Sequence, residues 1–263
     1  MKSSGAHACI RPGRVRSRHD PQTVWLKQLG ALPQPPEKFF PAFVDEWPML
    51  GNDKENCCTC AAAAHMIHLW SAAWKQPVMV DEAHVLAAYI MVSQGASGGA
   101  EMIDVLHYWH QNGINERKLL QFVAIQPDDP KELRTAIFLF GSAYLGFNLP
   151  DFVMPSCSNP SIDWVLPEGG ATGEAAPRPA NGHCVAAIGF DENRLHVVSC
   201  GSVRSMSWDF YTAYNEEAYA VLSSEWCGAE NRSPVGEDLS KLQRDISVLR
   251  KSKRPEFTST PKI

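Results

Sequence analysis

The stretch WPMLGNDKENCCTCAAAAHMIHLWSAAW, residues Trp47–Trp74, decides how the rest of the chain is read. It opens as a turn-rich loop, Gly51-Asn52-Asp53, then packs Cys57, Cys58 and Cys60 into four positions. From there to Gln76-Pro77 the run is lined with alanine and holds neither Pro nor Gly, which predicts one buried helix. A cysteine in the first turn of such a helix meets unpaired N–H groups and the positive end of the helix dipole. The sequence therefore predicts a thiolate of lowered pKa there, and a thiolate is a nucleophile. Plain packing competes with that chemistry, because cysteine is among the most buried residue types and a Cys-Ala-rich helix is often simply a core helix.

At 263 residues the chain can bury a core large enough for one two-lobed domain or two modest ones. A net charge of -5 argues against a general nucleic-acid binder. The basic ends, Arg11, Arg14, Arg16 and Arg18 on one side and Lys251, Lys253 and Arg254 on the other, read as solvated tails. No run of about 18 apolar residues exists to span a membrane. The first residues lack the apolar segment of a secretory signal, so the eight cysteines are expected as free thiols in a reducing, cytoplasmic setting.

Residues 1–44 form a leader. Positions 1–20 are expected to be flexible, 21–32 to hold a short helix, and the proline-rich 33–41 to run extended. Residues 45–128 read as a helical lobe with helices over 58–74, 81–92 and 101–111. The last carries Met102, Val105, Leu106 and Trp109 on one face and ends at Asn112-Gly113. Residues 129–227 read as a β-rich lobe. A helix from Pro130 to Phe140 leads into a strand over 143–149, and a long irregular loop fills 150–182. Strands over 184–190 and 195–200 then flank the turn Asp191-Glu192-Asn193-Arg194, and one more strand covers 218–222. Residues 228–263 hold a terminal helix marked by Leu239, Leu242, Ile246 and Leu249, and a tail. Helices first and strands second define an α+β chain with a cleft between lobes as the natural place for a site.

A cysteine nucleophile needs a base, a group that orients the base, and a donor for the oxyanion. Of nine histidines, His7 and His19 lie in the leader, His65 and His68 on the cysteine helix pointing away from its start. His84, His107 and His110 sit at helical positions, and His196 falls inside a strand. His183 alone follows Asn181-Gly182 at the mouth of a strand, where a ring is held rigidly yet stays accessible. The cluster Cys57, Cys58, Cys60, His65 and His68 lacks the separated ligand pairs of a zinc site, and the Gly-rich stretches lack a nucleotide-binding context. Neither a metal nor a cofactor is expected.

A cysteine opening a long helix in the first lobe and a histidine opening a strand hairpin 125 positions later resembles the papain-like cysteine peptidases. His183-Cys184-Val185-Ala186-Ala187-Ile188-Gly189-Phe190 is similar to that family's H-A-V-x-x-V-G-Y strand. The stretch from Asp129 to Leu149 looks like the helix and first strand of its second lobe. The resemblance covers about residues 45–222, and the WPMLGND…CTCAAAAH run further resembles a group of uncharacterised bacterial and phage proteins with this fold. It implies a two-lobed molecule, helical first lobe and antiparallel β-sheet or barrel second. It also implies a thiol hydrolase that forms an acyl-enzyme on a peptide or protein substrate.

The family's oxyanion-donating Gln, six positions before the nucleophile, is matched by Asn52 if Cys58 is the nucleophile. Cys60 is the alternative, in a register that puts Lys54 at the donor position. The family's Trp after the nucleophile is Thr59 here, a half-cystine is replaced by Glu55, and the orienting Asn position falls on Ser199, or on Val198 if Gly201 is the anchor. The short leader has no counterpart to the family's long inhibitory pro-segment, so no zymogen control is expected. The same resemblance is compatible with an inactive module that binds a peptide or protein partner in the cleft. Oligomeric state has no signature in the sequence.

Overall fold

A computed structural model describes residues 11–159, 161–228 and 230–253 of the chain. His7, Cys9 and Arg254 lie outside the described residues, as does the side chain of Cys157. The first half holds β1 (Arg14–Val15), α1 (Cys58–Ala73), α2 (Glu82–Ser93), β2 (Ala100–Glu101), α3 (Met102–Gln111) and β3 (Leu119–Ile125). The second holds α4 (Pro130–Phe140), β4 (Ala143–Asn148), β5 (Gly182–Phe190), β6 (Arg194–Ser199), β7 (Ser202–Ser207) and α5 (Trp208–Tyr214). After these come β8 (Asn215–Ser223), α6 (Ser224–Cys227) and α7 (Ser240–Ser252). Among the described residues, no helix is long and apolar enough to cross a membrane.

Local chemistry sets the boundaries. Asp81 caps α2 by accepting from the His84 N–H at 3.0 Å. Asp129 caps α4 by accepting from the N–H groups of Lys131 and Glu132 at 2.9 and 3.0 Å, with Pro130 at the first helical position and Gly141 left-handed past the end. The β5–β6 turn closes on Asp191, whose Oδ1 accepts from the backbone of Asn193 and Arg194 at 2.9 Å each. The leader departs from expectation. Only Leu26–Gln28 of the expected 21–32 helix turns helically, as one short 3₁₀ turn, and residues 11–18 have a fixed place described below.

Six strands form one antiparallel sheet in the order β3-β8-β4-β5-β6-β7. Helix α1 is apolar nearly all round, with every residue from Cys58 to Ser71 buried, so it must lie between other layers. It packs on β5, where Ala61–Ala64 present methyl groups only and let the helix come close to the sheet. Two hydrogen bonds tie the lobes through this helix: Tyr144 Oη donates to the Thr59 carbonyl at 2.8 Å, and Trp70 Nε1 to the Phe140 carbonyl at 2.8 Å. A sheet lobe and a helical lobe thus meet along α1, whose N-terminus opens at their junction.

Candidate functional site

Cys58 is the first residue of α1 and His183 the second of β5, paired across to Phe147 on β4. The two line one small cavity of about 10 Å³ together with Asn52, His65, Ser199 and Cys200, room for roughly a single water. Ser199 ends β6, and the two-residue turn Cys200-Gly201 that follows has φ of 54° and 63°. Both residues in the left-handed region make the tight hairpin that matches strand twist. That hairpin holds Ser199 Oγ 3.0 Å from His183 Nε2. His183 Nδ1 is buried and has no hydrogen-bond partner among the described residues. The position at which the family resemblance expected an orienting Asn is thus filled by a hydroxyl that does contact the ring.

Both groups are neutral as they lie. Burial pushes the Cys58 thiol up to about 11, although the N–H groups of Cys184 and Gly13, the Arg14 charge and the Thr59 N–H all pull it down. The expectation of a lowered thiol pKa is therefore corrected: the helix N-terminus acts in the predicted direction, but desolvation outweighs it. Burial, reinforced by the Arg14 charge, pushes His183 down to about 3.

The leader, which the sequence reading left as a flexible, basic tail, passes beside both groups, with Gly13 and Arg14 acting on Cys58 and Arg14 on His183. Arg11 exchanges two bonds with Asn52: its N–H donates to the Asn52 carbonyl at 3.0 Å, and its carbonyl accepts from Asn52 Nδ2 at 3.0 Å. The second Asn52 Nδ2 contact goes to the Glu55 carbonyl at 3.2 Å. The Gly13 carbonyl accepts from the Ala100 N–H at 2.8 Å, and β1 then pairs with β2 in parallel. Glycines make the passage. A Cβ on Gly99 would stand 2.1 Å from the Gly13 oxygen, and one on Gly182 would stand 2.1 Å from the Arg14 oxygen. Residues 11–18 therefore run past Asn52 and Gly182 beside the cavity, although none of them lines it, and Cys58 and His183 are each only 1% exposed.

Asn52, Cys58, His183 and Ser199, all named from the sequence, line the same cavity. Cys60 is fully buried in the core and lines no part of the cavity. His65, expected to point away, does reach the cavity, with its Nε2 2.9 Å from the Pro48 carbonyl. Cys57, Cys58, Cys60, Cys184, Cys200 and Cys227 are free thiols, and no group of three or more His, Cys, Asp or Glu among the described residues could hold a metal ion. Sequence reasoning missed Arg14, Glu216 and Glu217. The signal available was the charge complement between an arginine-rich leader and the adjacent carboxylates at the start of β8.

A helix-borne cysteine meeting a sheet-borne histidine beneath an interlobe cleft is the architecture of the papain-like cysteine proteases, and the chain has that fold. Xylellain, a cysteine protease from Xylella fastidiosa, superposes with a TM-score of 0.61 at 13% identity, over 84% of this chain and 99% of that one. The cysteine protease and lectin-like domains of a surface layer associated protein of Clostridium difficile give 0.55 at 12% identity, over 83% of this chain and 57% of theirs. Procathepsin B from Trypanosoma congolense gives 0.51 at 10% identity, over 80% and 82% of the two chains. No protein-family model matches the chain, and no curated protein sequence matches it.

Proposed function

We propose that the chain is a thiol hydrolase acting on a peptide or protein substrate, with Cys58 as nucleophile and His183 as base and then acid. The single observation that carries this reading is the state of the His183 ring. Its Nε2 is taken by Ser199, and its Nδ1 is left unpartnered beside the cavity that Cys58 also lines. An imidazole fixed through one nitrogen and free at the other can accept the thiol proton and later deliver it to a leaving amine. Ser199 would be a positioning residue, setting ring orientation through Nε2. Asn52 Nδ2 already donates to a carbonyl, that of Arg11, and would serve a substrate oxyanion in the same way beside the first-turn N–H of Cys58. The thiolate adds to the substrate carbonyl, the C–N bond breaks as His183 protonates the amine, and water then hydrolyses the thioester.

The fold relatives support a peptide substrate only at that coarse level. The test is thiol-dependent cleavage of a peptide library by the whole chain. Wild type and Cys60→Ala are expected to cleave, and Cys58→Ala and His183→Ala are not. Cleavage that survives Cys58→Ala rejects the mechanism. A folded wild type that binds peptides and cleaves none would make the chain a binding module in the same cleft.

A further inference from the structure

Arg14 belongs to the leader, yet its side chain is buried as deeply as the core, 1% exposed. Burying a guanidinium is costly unless its charge is paired, so a receiving pocket has to be built for it; here both Nη groups are met and Nε is buried without a partner among the described residues. That pocket is present on two neighbouring strands. Nη1 pairs with the Glu217 carboxylate, and Nη2 pairs with Glu216 and donates to Asn148 Oδ1 at 2.6 Å. The acceptors are themselves held: Asn148 Nδ2 donates to Glu216 at 2.9 Å, and Tyr219 Oη to Glu217 at 3.4 Å. Gly146, opposite Glu217 in the β4–β8 register, clears the path of the aliphatic stem, since a Cβ there would stand 2.6 Å from Arg14 Cδ. Two carboxylates side by side on β8 repel each other when no cation lies between them.

The pocket is also reachable. The Glu216 and Glu217 side chains are 24% and 12% exposed, and both line a cavity of about 450 Å³ that continues along the leader. The backbone that carries Arg14 lies in the cleft as an added strand, held by Asn52 and Ala100, with the Gly13 N–H facing the Cys58 sulfur. We propose that Asn148, Glu216 and Glu217 form a guanidinium subsite of the peptide cleft, so that the cleft selects extended peptides with an arginine one residue beyond the backbone that crosses Cys58. Arg14 is the tethered occupant of that subsite. The assignment rests on the reading of the cleft as a peptide site, but not on the cysteine being reactive. Lysine can supply charge but no planar fork, so it binds less well across two carboxylates and an amide.

The experiment uses the whole chain carrying Cys58→Ala and Arg14→Ala, which empties the subsite and prevents turnover. Isothermal titration with N-acetyl-Gly-Arg-Val-amide, the sequence pattern of residues 13–15, is expected to give one saturable site. Binding should weaken roughly tenfold or more with methionine in place of arginine, and likewise when Glu216→Gln and Glu217→Gln are added. The single Cys58→Ala chain, with Arg14 in place, should bind more weakly as well. If the Arg14→Ala chain does not fold, Arg14→Met keeps the buried stem and takes its place. No binding by a chain shown folded by circular dichroism overturns the subsite, as does equal binding of the methionine peptide or indifference to the paired Gln changes. A chain that never hydrolyses a peptide yet passes this titration retires the catalytic reading and leaves the subsite standing.

Discussion

Arg14→Ala should expose the Cys58 thiol far more than it destabilises the fold. Removing the guanidinium leaves Glu217 without its cation, Glu216 with only the exposed Arg16 at 3.5 Å, and the leader without its deepest anchor. Breaking a fully buried ion pair costs about 3–5 kcal/mol, and the partial exposure of both carboxylates lowers this to about 2–4 kcal/mol. The loss falls on the docking of residues 11–18 rather than on the core, because β1 pairs only with β2, apart from the six-stranded sheet, and can lift without unfolding it. At about 1.4 kcal/mol per factor of ten, the lifted population rises on the order of 100-fold. Iodoacetamide labelling at neutral pH, read residue by residue by mass spectrometry of digests, measures it, with core-buried Cys60 as internal reference. Cys58 labelling should accelerate on the order of 100-fold while Cys60 stays slow. Cys57, Cys58 and Cys60 accelerating in step would mean the cost went into global unfolding, and an unchanged Cys58 rate would mean the leader is not what covers the sulfur.

Gly182→Ala tests the same cover without touching charge. The residue has φ of -55°, open to alanine, but the new methyl would stand 2.1 Å from the Arg14 carbonyl, so the strand should lift and Cys58 labelling should rise. Unchanged labelling with a lowered Tm would show the lobe shifting instead. Ser199→Ala removes the one partner His183 Nε2 has among the described residues, leaving both ring nitrogens without a partner among them, at about 1–3 kcal/mol of stability. If His183 is the base, peptide cleavage should fall with kcat and leave KM little changed. Acid should destabilise the fold through its buried histidines: burial holds His65 near 3, His68 near 4 and His183 near 3. Between the unfolded pKa of about 6.5 and those values the unfolded chain binds more protons, so stability is intact above pH 6.5 and falls as pH drops toward 4. Urea midpoints measured across that window should decline, and less steeply in His183→Gln; a flat profile would contradict the burial.

Periodicity and capping made most elements legible. Asp129-Pro130 before α4, Asn112-Gly113 after α3 and the Asp191 turn each state their geometry in side-chain chemistry that needs no tertiary context. β1, β2, β3, β7, α5 and α6 were not read from the sequence, and three of them show why. β3, Leu-Leu-Gln-Phe-Val-Ala-Ile, is an apolar run that a helix pattern fits as well. β7, Ser-Val-Arg-Ser-Met-Ser, is too polar to announce a strand and gains its place by pairing with β6. α5 is only seven residues and leans on the Ser207 cap. At the site, Cys58 and His183 are legible as a helix start and a strand mouth, Asn52 and Ser199 by the family resemblance, and all four line one cavity. The leader's place is not legible, because four arginines in eighteen residues look the same in solvent as over a carboxylate pair. What decides between them is the glycines at 99, 146 and 182, which mark close backbone approach only once the partner is known.

The leader's contacts bear unequally on the two groups beneath it. For His183, burial and the Arg14 charge both lower the pKa, so lifting residues 11–18 raises it on both counts. For Cys58, lifting loses the Gly13 N–H and the Arg14 charge, which favour the thiolate, but it also relieves desolvation, the largest influence on that thiol. The helix N-terminus and the Cys184 and Thr59 N–H groups stay in place and continue to favour the thiolate. On the proposed hydrolase reading, displacing the leader would free the Asn52 amide for a substrate and, by raising the His183 proton affinity, make transfer of the thiol proton to it less uphill, so that a single movement would serve both.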